Sequence, residues 1–255
     1  MAMIRIFSLI LLSYYLVACT HNVQTTSGQA YLSKYPSQAE YQQQPPRQLQ
    51  DIDEEVRQVA AIEPQLRFPA RIGIAKVYNG RIASMSHEEA DLWFQAKNKL
   101  GQQFGEFVPV SPLIAEMVAG VQKSHSYSEP LYNIIRKIRL GAARQHLDVV
   151  LMYEVYGKSQ HSSNLLSLMD LTIVGAYISP GQSLQADGYA KALLLDVRNG
   201  YPYGTAEGIA NKEGLSTRVG RSARERDLYE KTVLVATEKL IDSVQNMFWE
   251  LKQKL

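Results

Sequence analysis

Apolar positions along this chain alternate between spacings of two and spacings of three and four, and the switches divide it into strands and helices. Arg71–Tyr78 alternates through Ile72, Ile74 and Val77 and predicts a strand turning at Asn79-Gly80, since Asn-Gly tolerates the positive φ of a tight hairpin. Ser86-His87-Glu88-Glu89 fits a capping box, and Trp93, Ala96, Leu100 and Phe104 fall on one face of the helix that it opens. Phe107–Val110 predicts a short strand, and Pro112 opens a helix over Leu113–Val121. Leu131, Ile134, Ile135, Ile138 and Ala142 form a third amphipathic stripe. Val149–Val155 is nearly continuous in apolar residues, the mark of a strand buried on both faces. Strands follow at Leu168–Ile178 and Gly188–Val197. Arg198-Asn199-Gly200 then turns the chain into Tyr203–Ala210.

The last pattern is the longest. Within Ala223–Leu251, Tyr229, Val233, Ala236, Leu240, Val244, Met247 and Leu251 recur at steps of three and four, a seam that predicts a helix packed on the sheet. The resulting order, β-α-β-α-α-β-β-β-β-α, predicts an α/β fold: a single mixed-sheet sandwich with amphipathic helices packed on the sheet and a long C-terminal helix.

The N-terminal fifth reads differently. One Arg5 precedes the apolar run Ile6–Val17, and Ala18 leads into Cys19, the only cysteine of the 255 residues. About twelve apolar residues are too few to cross a hydrocarbon core, which needs roughly twenty, so the layout is that of a cleaved signal peptide. Leu16-Val17-Ala18-Cys19 resembles the lipobox of bacterial lipoproteins. The resemblance implies cleavage before Cys19, diacylation of its thiol and acylation of the new amine. Thr20 and His21 follow with no Asp beside the cysteine, which by the sorting rule of such proteins implies the outer membrane, with the domain in the periplasm. From Thr20 to about Gln50 the chain is rich in Gln, Ser, Thr and Pro and predicts a flexible tether. As a coil of about 30 residues it would span on the order of 30 Å. The expected domains are thus a signal peptide over 1–18, a lipidated cysteine and tether over 19–50, and an α/β domain over 51–255, entered through a short helix at Asp51–Ile62.

Charge and composition exclude more than they specify. Lys+Arg is 27 against Asp+Glu 25, a net charge of +2, which speaks against a nucleic-acid partner. With Cys19 taken by lipid, cysteine nucleophiles, thiolate metal sites and disulfides fall away. The five histidines, His21, His87, His125, His146 and His161, lie too far apart for a metal pair, and neither GxSxG, SxxK, GxxxxGK[ST] nor GxGxxG occurs. No cofactor, metal or catalytic residue is expected. Asp170, Asp187, Asp196, Glu154 and Glu207 read as rim acids of the strands. Two basic clusters remain: Arg136, Lys137, Arg139 and Arg144 around one helix, and Arg218, Arg221, Arg224 and Arg226 at the start of the last. The second, with Tyr201 and Tyr203 of the hairpin, forms the candidate partner-binding set.

Two segments carry a further resemblance. Gly141–Gly157 and Ala192–Gly208 resemble the periplasmic fold shared by the curli-secretion lipoprotein CsgG, the penicillin-binding-protein activator LpoB and the amino-terminal domain of TolB. Together with Asp170–Gly175, the segment Asp196–Gly204 is similar to the rhombotarget lipoprotein family. These resemblances imply a non-enzymatic adaptor or activator that binds an envelope protein, in contact with the membrane through Cys19 and with self-association open. The alternatives are a CsgG-like oligomeric export component and a hydrolase of envelope polymer.

Overall fold

The computed structural model describes residues 21–34, 47–120, 130–163, 182–216 and 221–255. The signal peptide, Cys19, the predicted strand Leu168–Ile178 with Asp170, and Arg218 lie outside the described residues.

A seven-stranded mixed sheet forms the centre. Its strands are β1 (His21–Val23), β2 (Ala70–Tyr78), β3 (Arg81–Ala83), β4 (Gly105–Pro109), β5 (Val149–Ser163), β6 (Gln182–Asp196) and β7 (Pro202–Ser216). They run in the order β1-β7-β6-β5-β2-β3, with β4 also pairing β2. β2 is parallel to β4 and β5, while β5, β6 and β7 form an antiparallel meander. Among the described residues six helices surround it: α1 (Gly28–Leu32), α2 (Arg47–Ala60), α3 (His87–Leu100), α4 (Pro112–Ala119), α5 (Leu131–Arg144) and α6 (Arg221–Lys254). The α/β mixed-sheet architecture and long C-terminal helix expected from the pattern are present.

Each sheet face has its own core. On one face α3 and α6 cover Ile72, Ile74, Leu151, Tyr153 and Leu194. On the other, α5 buries Ile134, Ile138 and Ala142 against Val77, Val150 and Met152. The α6 seam packs on the sheet as its spacing predicts: Ala236, Leu240, Val244, Met247 and Leu251 are all buried. Two glycines set its height. A Cβ on Gly188 would lie 2.7 Å from the Thr232 carbonyl oxygen, and one on Gly208 would collide with the Ala236 carbonyl, so helix backbone rests directly on strand backbone.

Local signals fare unevenly. The capping box forms: Ser86 Oγ accepts from the Glu89 amide at 3.2 Å, and Glu89 Oε2 accepts from the Ser86 amide at 2.9 Å. Asn79 (φ 49°) and Gly80 (φ 70°) make the expected tight turn into β3. Phe104 is not part of α3, because Gly101 (φ 80°) ends the helix, yet its ring is fully buried in the same core, 5.2 Å from Phe68. Strands β5, β6 and β7 each run to 15 residues, well beyond the apolar runs that announced them. Their outer halves keep one face in water, so polar residues interrupt the pattern while the antiparallel ladder continues.

The N-terminal segment departs most from expectation. Residues 21–34, assigned by composition to the tether, are seated on the domain. His21–Val23 pairs with Gly204–Ala206 of β7, and the Gln24 amide donates to the Tyr203 carbonyl at 2.8 Å. Ser27 caps α1 and its hydroxyl donates to Glu63 at 3.1 Å, while the Gln29 amide reaches the same carboxylate oxygen at 2.7 Å. Specific polar contacts, with Val23 packed on the core, hold this stretch, so its low overall hydrophobicity was no guide. Residues 35–46 lie outside the described residues.

Candidate functional site

The turn between β6 and β7 organises one end of the sheet. Asp196, fully buried, closes it: Oδ1 accepts from the amides of Arg198 (2.9 Å) and Asn199 (3.3 Å), while Oδ2 accepts from the Tyr203 hydroxyl at 3.0 Å. That hydroxyl in turn accepts from the amides of Gln65 (2.7 Å) and Leu66 (2.6 Å). Burial, aided by the neighbouring Asp196 charge, pushes the Tyr203 phenol up to about 12. Tyr203 therefore fastens the segment before β2 to the hairpin. It is a core residue with no exposed surface, which corrects its candidacy as a partner contact. The turn also corrects the expected Asn-Gly geometry, for only Gly200 (φ 78°) is left-handed, and Asn199 serves through its side chain.

Tyr201 lies beside it, 3% exposed, its hydroxyl donating to the Thr26 carbonyl at 2.8 Å. Burial raises its pKa from the ordinary phenol value. Its flank lines a groove of about 680 Å³ between α1, α2 and the hairpin. Tyr31, Val56, Val59, Ile62 and Pro202 complete the apolar wall, with Gln24 and Glu55 at the polar margin. Val56 and Val59 are 52% and 71% exposed, unusual for valines one turn apart beside a concavity. Sequence reading missed this groove because one of its walls, Gln24 and Tyr31, belongs to the stretch assigned to the tether. Ser27 before Gly28–Leu32, an N-cap signature, was the one local sign of structure there.

The arginines sit elsewhere. Arg221, Arg224 and Arg226 lie on the first turns of α6, near the far ends of β5 and β7, where the Ser159 hydroxyl donates to Glu225 at 2.7 Å. Lys231, then Arg224 and Lys212, hold the Asp227 carboxyl below the usual range. The run of β7 from Tyr203 to Ser216, on the order of 40 Å, separates this cluster from Tyr201. The structure does not bring the two halves of the candidate set together. Nor do the acids converge: Asp187 meets Asn211, Glu207 meets Lys191 across the strands, and Asp196 is spent on the turn. Arg139 of the other basic cluster donates to the carbonyls of Val197 (3.2 Å) and Arg198 (3.0 Å), bracing the turn from α5. Among the described residues no group of three or more His, Cys, Asp or Glu could hold a metal. No helix among them is long and apolar enough to cross a membrane.

No family model matches this chain, and no curated protein does. Among solved structures it is similar to a PelC dodecamer of Paraburkholderia phytofirmans carrying a single leucine-to-methionine substitution, at 13% identity and a TM-score of 0.30, over 69% of this chain and 92% of that one. It is also similar to the hypothetical protein CT253 of Chlamydia trachomatis, at 9% identity and a TM-score of 0.31, over 71% and 99%. A second PelC dodecamer, in another crystal form, gives 13% identity and 0.28 over 66% and 88%. At these scores the likeness carries no inference about what this chain does.

Proposed function

We propose that this chain is a lipid-anchored, non-enzymatic protein of the bacterial outer membrane, held against the bilayer by Cys19. Its groove receives an apolar segment of an envelope protein, which makes it an adaptor or activator. One observation carries the reading: the cysteine of the lipobox-like Leu16-Val17-Ala18-Cys19 stands two positions before a strand hydrogen-bonded into the sheet. Two residues reach about 7 Å at most. A lipid on Cys19 would thus fix the β1 edge at the membrane surface, and with it the groove lined by Gln24 and Tyr31. Three acyl chains bind a bilayer far more firmly than the reversible hold of one.

The anchor is tested by growing cells with labelled palmitate. The native chain should carry label and sediment with membranes, and Cys19→Ser should do neither. Unlabelled native protein in the soluble fraction would overturn the anchor. The binding role is tested by a photo-cross-linking residue at Val59 in the same cells. Capture of one envelope protein, lost when Tyr31 and Val56 are replaced by Asp, supports the adaptor reading; no captured species overturns it.

A further inference from the structure

Beyond Met152 and Leu193, where the α5 core ends, the same face of β5, β6 and β7 carries three cross-strand rows. The middle row is Tyr156, Tyr189 and Ile209, opposite one another in register. The two tyrosine rings stack at 5.3 Å and 19°, and Tyr156 and Ile209 are 39% and 51% exposed. On the inner side stands the row Glu154, Lys191, Glu207; on the outer side, Lys158, Asp187, Asn211. The opposite face of these strands is covered by α6. An aromatic band between two charged rows is thus presented to solvent.

From this pattern we infer that the face docks onto a second copy of this chain through a two-fold axis lying along the aromatic row. Stacked sheets lie about 10 Å apart with their side chains interleaved. Rotation about that axis lays the aromatic row on itself and reverses the strands. Glu154 then meets the partner's Lys158, Lys191 meets the partner's Asp187, and Glu207 meets the partner's Asn211. Every pairing is attractive. An axis along the strands would instead set Lys191 on the partner's Lys191, Asp187 on the partner's Asp187 and Glu154 on the partner's Glu207, and each of these repels. One face therefore selects one symmetry, as an isologous contact requires.

Anchoring selects the same axis. The sheet runs β1-β7-β6-β5, so an axis along the rows leaves through the β1 edge and keeps both β1 strands on one side. Both copies then offer Cys19 to a single bilayer, whereas the other axis sends them to opposite sides. This second point rests on the lipid reading of Cys19; the charge pairing does not.

The purified full chain is to be measured by light scattering, with three variants at positions outside both cores. The native chain should be a dimer. Lys158→Glu should weaken it at least tenfold by facing two carboxylates, and Glu154→Lys combined with Lys158→Glu should restore it. Tyr189→Cys in a Cys19→Ser background should be joined to its copy by a bis-maleimide with a spacer of about 8 Å, since that position meets itself at the axis across sheets about 10 Å apart. A monomeric native chain, a double variant as weak as the single, or failure of Tyr189→Cys to cross-link would each overturn the inference. All are read in the Cys19→Ser background, where neither acyl chains nor a native thiol can join two copies.

Discussion

His21 Nε2 lies 2.9 Å from Glu250 Oε2, joining the first described strand to the last helix across 229 positions of sequence. The ring is largely enclosed, its side chain 7% exposed, while the carboxylate is shared with Lys254 at 2.6 Å. This clasp, with the β1–β7 ladder and the Ser27–Glu63 bond, makes residues 21–34 part of the domain. His21→Ala should therefore release that segment without unfolding the rest. Hydrogen exchange should quicken at residues 21–34 and stay unchanged in β5 and β6. The loss of global stability should stay within about 1 kcal/mol, as for a single side-chain hydrogen bond.

Acid should loosen the same segment. The Gln29 amide, then the Ser27 hydroxyl, hold Glu63 below its ordinary value of 4.5, and Lys254, then His21, do so for Glu250. A carboxylate with a lowered folded pKa contributes stability that is complete above its unfolded value and disappears as pH falls through the folded one. The hold of these two carboxylates on residues 21–34 should thus be complete above about pH 4.5 and weaken below it. Anisotropy of a dye on Thr26→Cys, with circular dichroism to follow the whole fold, reads this directly. A loss of anisotropy between pH 7 and 6 would contradict it.

Tyr203→Phe removes one oxygen that serves two amides and a buried carboxylate. Leaving those groups unsatisfied should cost about 2–3 kcal/mol in denaturant unfolding. Tyr201→Phe, which loses the bond to the Thr26 carbonyl and the contact with the Gln24 side chain, should cost about 1 kcal/mol.

Contact between α6 and the sheet should tolerate no added carbon at Gly208. Gly208→Ala should destabilise by about 2–3 kcal/mol, because the methyl meets helix backbone that has nowhere to move. Gly214→Ala, whose methyl would sit 3.6 Å from the Leu228 side chain, should change stability by less than about 0.5 kcal/mol.

What the sequence disclosed follows from which forces leave a periodic trace. Ala236 to Leu251 bury one helix face and Ile72 and Ile74 one strand face, so spacing alone located both elements. The outer halves of β5 to β7 are held by ladder hydrogen bonds between half-solvated strands, which impose no apolar run. Tyr201 and Tyr203, read together as binding residues, are two positions apart, fall in one core with their rings 5.0 Å from each other, and differ only in what their hydroxyls meet: the Thr26 carbonyl and the buried Asp196 carboxylate. His21 and Glu250 form a contact no local window contains. The groove was hidden for the same reason, since its walls come from residues 24, 31, 56–62 and 195–202.

The proposed seating of the domain on the membrane is tested with a single fluorophore, because Cys19 is the only native cysteine and is taken by the proposed lipid. The lipidated protein, dye-labelled at Thr26→Cys or at Arg81→Cys, is placed on vesicles containing a headgroup-attached nitroxide lipid. Thr26 neighbours β1, while Arg81 lies on β3 at the opposite edge of the sheet, five strand spacings or about 24 Å away. Strong quenching at Thr26 with little at Arg81 is the expected result, the β1 edge resting on the bilayer. Negligible quenching at both sites would mean that a long free tether separates the domain from its lipid, and would contradict the seating of residues 21–34 at the membrane.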